Sequence, residues 1–295
     1  MNLATTSRSF GTHDGSFHAD EVTACALLLL FDQIDRDKII RTRDADKLDR
    51  CEYVCDVGGI YNPTLKRFDH HQSDYQGSLS GAGMVWEYLK AQGIIEEPTY
   101  QYFNHSLLIG VDAIDNGRDF PLLGHCSFSQ VVSNFVPAAY DVGPEVMEKA
   151  FQEALDFVLG HLKRLLERFS YIRSCREKVV QRMALDGAAL IFDEAMPWMD
   201  SFFDLGGEEH PALFVIMPSG EHWKLRGIPP NNEQKMLVRM PLPEEWAGLI
   251  NDELKRISGI SGAIFCHKGR FISVWETKKD ALEALDYTLN KGKKF

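Results

Sequence analysis

Three short stretches of this chain concentrate the side chains that bind divalent cations. Arg67-Phe68-Asp69-His70-His71 sets a carboxylate beside two imidazoles. Gly11-Thr12-His13-Asp14-Gly15-Ser16-Phe17-His18-Ala19-Asp20-Glu21 brings His13, His18 and Asp20 into a glycine-containing turn. Gly110-Val111-Asp112-Ala113-Ile114-Asp115-Asn116-Gly117 adds two carboxylates three residues apart, which a helix turns roughly the same way. A further acid, Asp56, ends the apolar run Tyr53-Val54-Cys55 and precedes Val57-Gly58-Gly59. Such mixed nitrogen and oxygen donors suit ions like Mn²⁺ or Zn²⁺. A carboxylate at a strand end can bridge two ions, one oxygen to each. Two ions ~3.5–4 Å apart can activate a water and stabilise the entering and leaving oxygens of a phosphoryl displacement.

Each cluster has a plainer reading by itself: a solvated turn, a turn-capping Asp, a solvated helix end. Their joint presence favours metal. A ligating imidazole needs its other nitrogen held, so one of Asp69, His70 and His71 can be a supporting residue. No serine or cysteine with a paired base is evident, which leaves metal-activated water as the expected nucleophile. His105, His125 and His161 lack acidic or glycine context and read as structural or exposed.

The elements that must position these residues alternate. Ser7–Gly11, Lys38–Thr42 and Glu52–Asp56 read as strands. His18–Gln33, Gly81–Gln92 and Tyr100–Asp115 read as helices, with Ala24, Leu27, Leu28 and Phe31 at helical spacing. Alternation of this kind predicts crossover units and a mainly parallel sheet flanked by helices, an α/β fold. Ligands of open sheets sit beyond the carboxyl ends of the strands, where all the clusters fall. Residues 145–185 form a long periodic run, read as one connecting helix or a broken pair. Beyond it, strands at Leu213–Met217, His222–Arg226, Ala263–His267 and Phe271–Trp275 precede a terminal helix, the pattern of a smaller α+β domain. The predicted boundary lies near 186–206, giving domains 1–190 and 191–295.

A chain of 295 residues suits two domains, and a hydrophobic fraction of 44% is ordinary for a globular protein. Its formal charge of -11, from 32 basic and 43 acidic side chains, argues against broad binding to duplex nucleic acid. A short nucleic-acid end entering a metal-lined cleft remains compatible, because bound dications invert the local potential. Nothing resembles a signal peptide or a membrane span, and the scattered cysteines (Cys25, Cys51, Cys55, Cys126, Cys175, Cys266) form no Cys-x-x-Cys pair. Buried thiols, a cytoplasmic location and no membrane partner are the expectation.

Taken together, the His13–Glu21 string, Asp56-Val57-Gly58-Gly59, Phe68-Asp69-His70-His71-Gln72 and Val111–Gly117 resemble the melanocyte proliferating gene one (Myg-one) family, itself similar to the DHH phosphoesterase superfamily. The likeness continues through Arg239-Met240-Pro241-Leu242-Pro243-Glu244-Glu245-Trp246 and Ser258–His267, covering nearly the whole chain. It implies a DHH-like domain holding two divalent ions, with Mn²⁺ expected and Mg²⁺, Co²⁺ or Zn²⁺ as alternatives, and a C-terminal substrate-binding domain. Carried over, the ligands are His13, His18, Asp20, Asp56, His70 and Asp112, with Asp56 the bridge. His71 contacts the scissile phosphate or leaving group, and Asp69 and Asp115 support the shell; Asp56, His71 and Asp69 make up the catalytic set. Two departures stand out. His18 occupies a place where Asp is common, after a longer gap, and Lys268-Gly269-Arg270 replaces a glycine-rich stretch.

The family likeness points to 3′-to-5′ exonuclease action on single-stranded RNA or short oligonucleotides. Lys224, Arg226, Arg239, His267 and Lys268 are the basic side chains expected to meet a phosphate backbone, with ordinary surface charge as their plain alternative. Trp223 and Phe271 are candidate stacking faces. A homodimer is compatible with the sequence. Two rivals stand beside this reading: hydrolysis of a small phosphate compound (pyrophosphate, a cyclic dinucleotide or phosphoadenosine phosphate), which the acidic balance suits, and a catalytically silent metal-binding module.

Overall fold

The computed structural model describes residues 5–118 and 122–292. Its contacts divide the chain into two compact units, Met1–Phe169 and Ser170–Phe295.

In the first unit, β1 (Thr6–Thr12) leads through the His13 loop into α1 (Ala19–Leu30), followed by β2 (Ile39–Arg41), α2 (Ala45–Leu48) and β3 (Cys51–Cys55). Two short strands, β4 (Tyr61–Asn62) and β5 (Arg67–Phe68), precede α3 (Gly81–Ala91) and α4 (Glu97–Phe103). After a π-helical turn at Asn104–Leu108 come α5 (Ile109–Asp115), α6 (Phe128–Ser133) and the long α7 (Pro144–Met183). The sheet order is β2-β1-β3-β5-β4, parallel except where β4 turns back on β5. The α/β class expected from the alternation is the fold observed.

That order has a consequence for the site. From β1 the chain crosses to β2 on one side and then to β3 on the other, so the direction of winding reverses beside β1. Such a reversal opens a crevice past the strand ends, because the two crossovers diverge there. Helix α1 is buried almost all round from Ala19 to Leu28, as its near-continuous apolar run requires. It packs with α3 and the first half of α7 against Phe10, Tyr53, Cys55 and Phe68 of the strands, in a core that includes Trp86, Phe151, Leu155 and Val158.

In the second unit, β6 (Ala189–Ile191), α8 (Met199–Asp204), β7 (Phe214–Ser219), β8 (His222–Gly227), α9 (Asn251–Ser258), β9 (Ala263–Cys266), β10 (Ile272–Trp275) and α10 (Lys278–Gly292) build a sheet of order β6-β7-β8-β10-β9. β6 runs parallel to β7 and the other pairs are antiparallel. One cluster joins Phe214, Ile216, Leu225 and Trp275 to Leu254, Ala281 and Ala284. Another joins Leu190, Val215 and Met217 to Phe202 and to Cys175 and Val179 near the end of α7.

Residues 145–185 therefore form one unbroken helix, and the division at 169/170 falls inside it rather than at 190/191. Cys175 and Val179 serve the second core. A helix carries no compositional mark where its apolar stripe changes partners, so the sequence texture shifts only after the helix has ended. Strands β4, β5 and β6, at two or three residues each, are too short to show a period and were not foreseen. Among the described residues no helix is long and apolar enough to cross a membrane, and every cysteine is a free thiol, with Cys126 exposed and the rest buried.

Candidate metal centre

His13 follows β1, Asp56 follows β3 and His70 follows β5, so neighbouring parallel strands deliver them to one rim. Asp56 makes this possible by a left-handed backbone turn, φ 56°. Asp is among the few residues with a side chain that adopt this region at modest cost. The bend brings the carboxylate back over the strand ends. Its Oδ2 lies 3.2 Å from His13 Nε2, while Oδ1 lies 3.5 Å from His70 Nε2 and 3.3 Å from His71 Nδ1. The two oxygens thus face different imidazoles, the disposition a bridging ligand needs.

Donor atoms collect around Asp56 in overlapping groups: His13, His18, Glu21 and Asp56; Asp56, His70 and His71; and Asp20, His70 and Asp115. Within each group they lie within 4.8 Å of one another. The fit to cations can be tested on hydrogen bonding. His13 Nδ1 donates to Asp14 O at 3.0 Å, which leaves Nε2 to face Asp56 and Glu21, each 3.2 Å away. Glu21 Oε2, Asp56 Oδ1 and His70 Nε2 are buried without a hydrogen-bond partner. Buried polar atoms left unpaired are costly. Asp56 Oδ1 and His70 Nε2 lie 3.5 Å apart, and the other oxygen of Glu21 faces His13, which is the arrangement of ligand atoms, so the residues fit a divalent ion.

Protons take the place of cations in the electrostatics of the bare side chains. Burial opposes a charge on His13, yet hydrogen bonds to Asp56 and Glu21 outweigh it and raise the imidazole to about 10. The close carboxylates of Asp115 and Asp56 draw His70 up to about 10 as well. Burial works to raise Asp56, but the same two imidazoles hold it well below the usual carboxylate range. Burial and the charges of Asp56 and Asp115 push Asp20 well above that range.

Asp112 and Asp115, expected as ligand and supporting residue, face different neighbours. Asp115 Oδ2 stands 3.0 Å from His70 Nε2, among the potential ligands. Asp112 turns instead to the start of α3, accepting from Ser80 N at 3.0 Å, Ser80 Oγ at 2.7 Å and Gly83 N at 3.1 Å. Asp20 shares this duty, accepting from Gly81 N at 2.9 Å and from Ala82 N, and the single hydroxyl proton of Ser80, whose Oγ is 2.5 Å away, is shared between the two acids. Together the two acids satisfy N–H groups that the first turn of a helix leaves unpaired. The approach needs glycine. A Cβ on Gly83 would lie 2.3 Å from Asp112 Oδ2, and one on Gly81 would lie 2.4 Å from Cys55 Sγ.

Glu21 was missed by the sequence reading. Fully buried, it accepts from His18 N at 2.9 Å while facing His13. Its signal was present as an acid three residues past the N-cap of α1, but that position reads first as a helix cap. His18 is the exposed N-cap of α1, its ring 5.9 Å from that of His13. Asp69 supports the rim as expected, accepting from Gly59 N at 2.6 Å, His71 N at 3.0 Å and His71 Nδ1 at 2.8 Å. His71 is thereby oriented with a largely exposed ring. A cleft of 860 Å³ runs past His13, His18, Asp56, His71 and Asp115.

In the second unit the basic residues part company. Lys224 and Arg226 alternate with Leu225 on β8, and burial lowers the pKa of both, with mutual repulsion adding to it for Lys224. Arg226 lies 5.8 Å from the Phe271 ring, and the His267 ring lies 4.4 Å from the same ring, tilted by 51°, with Lys268 exposed in the adjoining turn. Arg239 does not fit a phosphate-binding role. Its guanidinium donates to the carbonyls of Pro229, His210, Ala212, Gly207 and Glu208, at 2.6–3.2 Å, and so it ties loops together. Trp223 is likewise not free to stack on a base, because it packs against the Phe214–Trp275 core with Lys278 over its ring.

Residues 9–289 match the family described as MYG1_exonuc, Uncharacterised protein family (UPF0160). A MYG1 protein of Chlamydia muridarum is 53% identical, over 96% of this chain and 97% of its own length. Proteins named MYG1 exonuclease from Rattus norvegicus and Homo sapiens are 33% and 31% identical, over 95% of this chain and 84% and 85% of theirs. Among solved structures, RecJ from Thermus thermophilus in complex with Mn²⁺ aligns with a TM-score of 0.29 at 14% identity. That alignment covers 96% of this chain and 52% of RecJ, so this chain spans about half the length of that protein. An exonuclease RecJ bound to manganese aligns with a TM-score of 0.30 at 12% identity, over 98% of this chain and 91% of that one. The sequence match extends across both units, and the chain belongs to the MYG1 (UPF0160) family.

Proposed function

We propose that this protein is a divalent-metal-dependent phosphoesterase, a 3′-to-5′ exonuclease that hydrolyses single-stranded RNA or short oligonucleotides. The observation that carries the reading is the pair of Asp56 oxygens, one toward His13 and the other toward His70 and His71. His13, His18, Glu21 and Asp56 would hold one ion, and Asp20, His70 and Asp115 a second, with Asp56 reaching toward it through Oδ1 beside His70. Bound ions, Mn²⁺ foremost, supply Lewis acidity and make a water nucleophilic at neutral pH. His71, anchored through Nδ1 on Asp69, presents its remaining nitrogen to the cleft, where it can hydrogen-bond a phosphate oxygen or protonate a leaving one.

The exonuclease names of the mammalian relatives support this choice of substrate. Lys224, Arg226, His267 and Lys268 beside Phe271 supply the local basic and aromatic surface that a single strand needs despite the net acidity. That acidity also favours a second reading, hydrolysis of a compact phosphate such as a cyclic dinucleotide. The experiment that separates them incubates Mn²⁺-loaded protein with 3′- and 5′-labelled RNA and DNA oligonucleotides, pyrophosphate and cyclic dinucleotides. Stepwise loss of nucleotides from the 3′ end, abolished in Asp56→Asn, is the expected result. Asn also tolerates the left-handed backbone, so this variant keeps the fold. Turnover of the small compounds alone would overturn the nuclease reading in favour of the second.

A further inference from the structure

His13 and His18 are linked by the loop Asp14–Phe17, whose first three residues are exposed. Gly15 holds a left-handed φ of 81°, and a Cβ there would meet nothing within 4 Å. Phe17, fully buried, anchors the far end with its ring edge-on to that of Phe151 at 5.7 Å. The near end has a different duty. Asp14 O accepts from His13 Nδ1 at 3.0 Å, which leaves Nε2 turned toward Asp56 and Glu21. A carbonyl in that place fixes both the tautomer and the ring orientation of a ligating imidazole. It is only as steady as the loop that bears it.

Arg41 supplies the steadying contact. It ends β2 and is paired in register with Thr12, the residue before His13. Its side chain is 5% exposed, and the guanidinium lies 4.6 Å from the Phe151 ring and 5.6 Å from that of Phe17. From there Nη2 donates to Gly15 O at 2.6 Å, and Nη1 stands 3.7 Å from Glu148 on α7. One planar fork thus joins the middle of the loop to β2 and to α7, a span that the single ammonium of a lysine does not offer. Burial lowers the pKa of Arg41, and the charges of Glu148, Glu21 and Asp14 work against it. Glu21 is the buried acid beside His13, so this cation also balances a charge of the site. Arg43, two residues on, shows the contrast. It meets Asp14 at 3.4 Å with side chains 67% and 58% exposed, a surface pair of little consequence.

We propose that Arg41 is a positioning residue of the metal centre. By holding the Gly15 carbonyl it fixes the backbone that orients His13 and carries His18, so its loss weakens cation binding from outside the ligand set. The inference rests on the metal-dependent reading of the site, and it is measured in metal uptake rather than in turnover.

The test titrates Mn²⁺ into the metal-free full-length chain by calorimetry, well below the unfolding midpoint of each variant as read by thermal unfolding. Arg41→Met keeps an apolar stem against the two rings and removes the N–H donors. It should weaken Mn²⁺ binding about 10-fold, the lower end of what losing a supporting partner of a metal ligand brings. Arg43→Met, which cuts only the surface pair, should stay within about twofold. Gly15→Ala disturbs the same contact from the loop: its methyl meets no atom, but the left-handed backbone disfavours it and the carbonyl turns away. A loss of about fivefold is expected there. Arg41→Met and Gly15→Ala together should lose no more than the stronger single change, because both break one contact. Wild-type Mn²⁺ affinity in a folded Arg41→Met overturns the assignment, as do equal losses in Arg41→Met and Arg43→Met, or losses that add in the double variant. Should Arg41→Met fail to fold, Gly15→Ala on its exposed loop decides, and wild-type affinity there overturns the assignment. A wild-type chain that takes up no Mn²⁺ overturns the metal reading itself. One that binds Mn²⁺ with these variant losses yet cleaves no oligonucleotide retains the role of Arg41 and loses the nuclease reading.

Discussion

Replacing Asp112 and Asp115 separately by alanine separates what holds the fold from what holds the metal. Asp112 is 4% exposed and accepts from the backbone N–H groups of Ser80 and Gly83 and from the Ser80 hydroxyl. In Asp112→Ala the hydroxyl retains Asp20 as a partner, whereas the two N–H groups are orphaned inside the protein. Each orphaned group costs about 1–3 kcal/mol. Relief of the buried carboxylate, whose pKa burial has already raised, offsets part of this. A net loss of ~2–5 kcal/mol follows, a large share of a typical ~5–15 kcal/mol domain stability. Asp115 is different: its side chain meets His70 at the rim, and once it is removed the imidazole still has Asp56 Oδ1 3.5 Å away, so the metal-free protein should lose less stability than in Asp112→Ala. Its loss should instead weaken Mn²⁺ binding at least ~10-fold, since even outer-shell partners of a metal site contribute that much. Urea unfolding of the stripped protein and calorimetric titration with Mn²⁺ read the two effects independently. Asp112→Ala with an unchanged urea midpoint but lost Mn²⁺ binding would refute the reasoning, as would a strongly destabilised Asp115→Ala that binds Mn²⁺ normally.

The remaining predictions concern protons and the second unit. His13 and His70 are raised from near 6.5 to about 10 in the metal-free protein, so their contribution to stability is complete below pH 6.5 and disappears as pH rises through 10. Because Mn²⁺ must displace those protons, its affinity should climb with pH across that window, with protons released in calorimetry across buffers of different ionisation enthalpy. Release of no protons and a flat affinity would contradict the ion-pair geometry around Asp56. Arg239→Ala should destabilise the second unit by ~2–4 kcal/mol in urea, since carbonyls bound by a charged donor lose ~1.5–3 kcal/mol per bond with partial recovery by water; oligonucleotide affinity of the folded variant should stay unchanged.

Much of the architecture was legible because strongly periodic segments state their own structure. Helix α1 and strands β1 to β3 follow from apolar spacing and turn residues, and their alternation leads to a parallel sheet with a rim at the strand ends. The short strands and the division inside α7 were not legible, because two or three residues carry no period and a helix can pass between cores without a break.

The sequence alone determined which side chains could gather a divalent ion: His13, His18, Asp20, Asp56, His70 and His71 declare themselves by residue type and by their place after strands. Tertiary structure decided how the carboxylates were shared out. Asp112 and Asp115, three residues apart on α5, differ by about 60° around a helix of 3.6 residues per turn. Which of them meets His70 depends on the rotation of α5, and burial of Leu108 and Val111 in the core sets that rotation. Packing also seated Glu21 beside His13 and Arg41 against the rings of Phe17 and Phe151, since tertiary contacts and not local spacing bring these residues together.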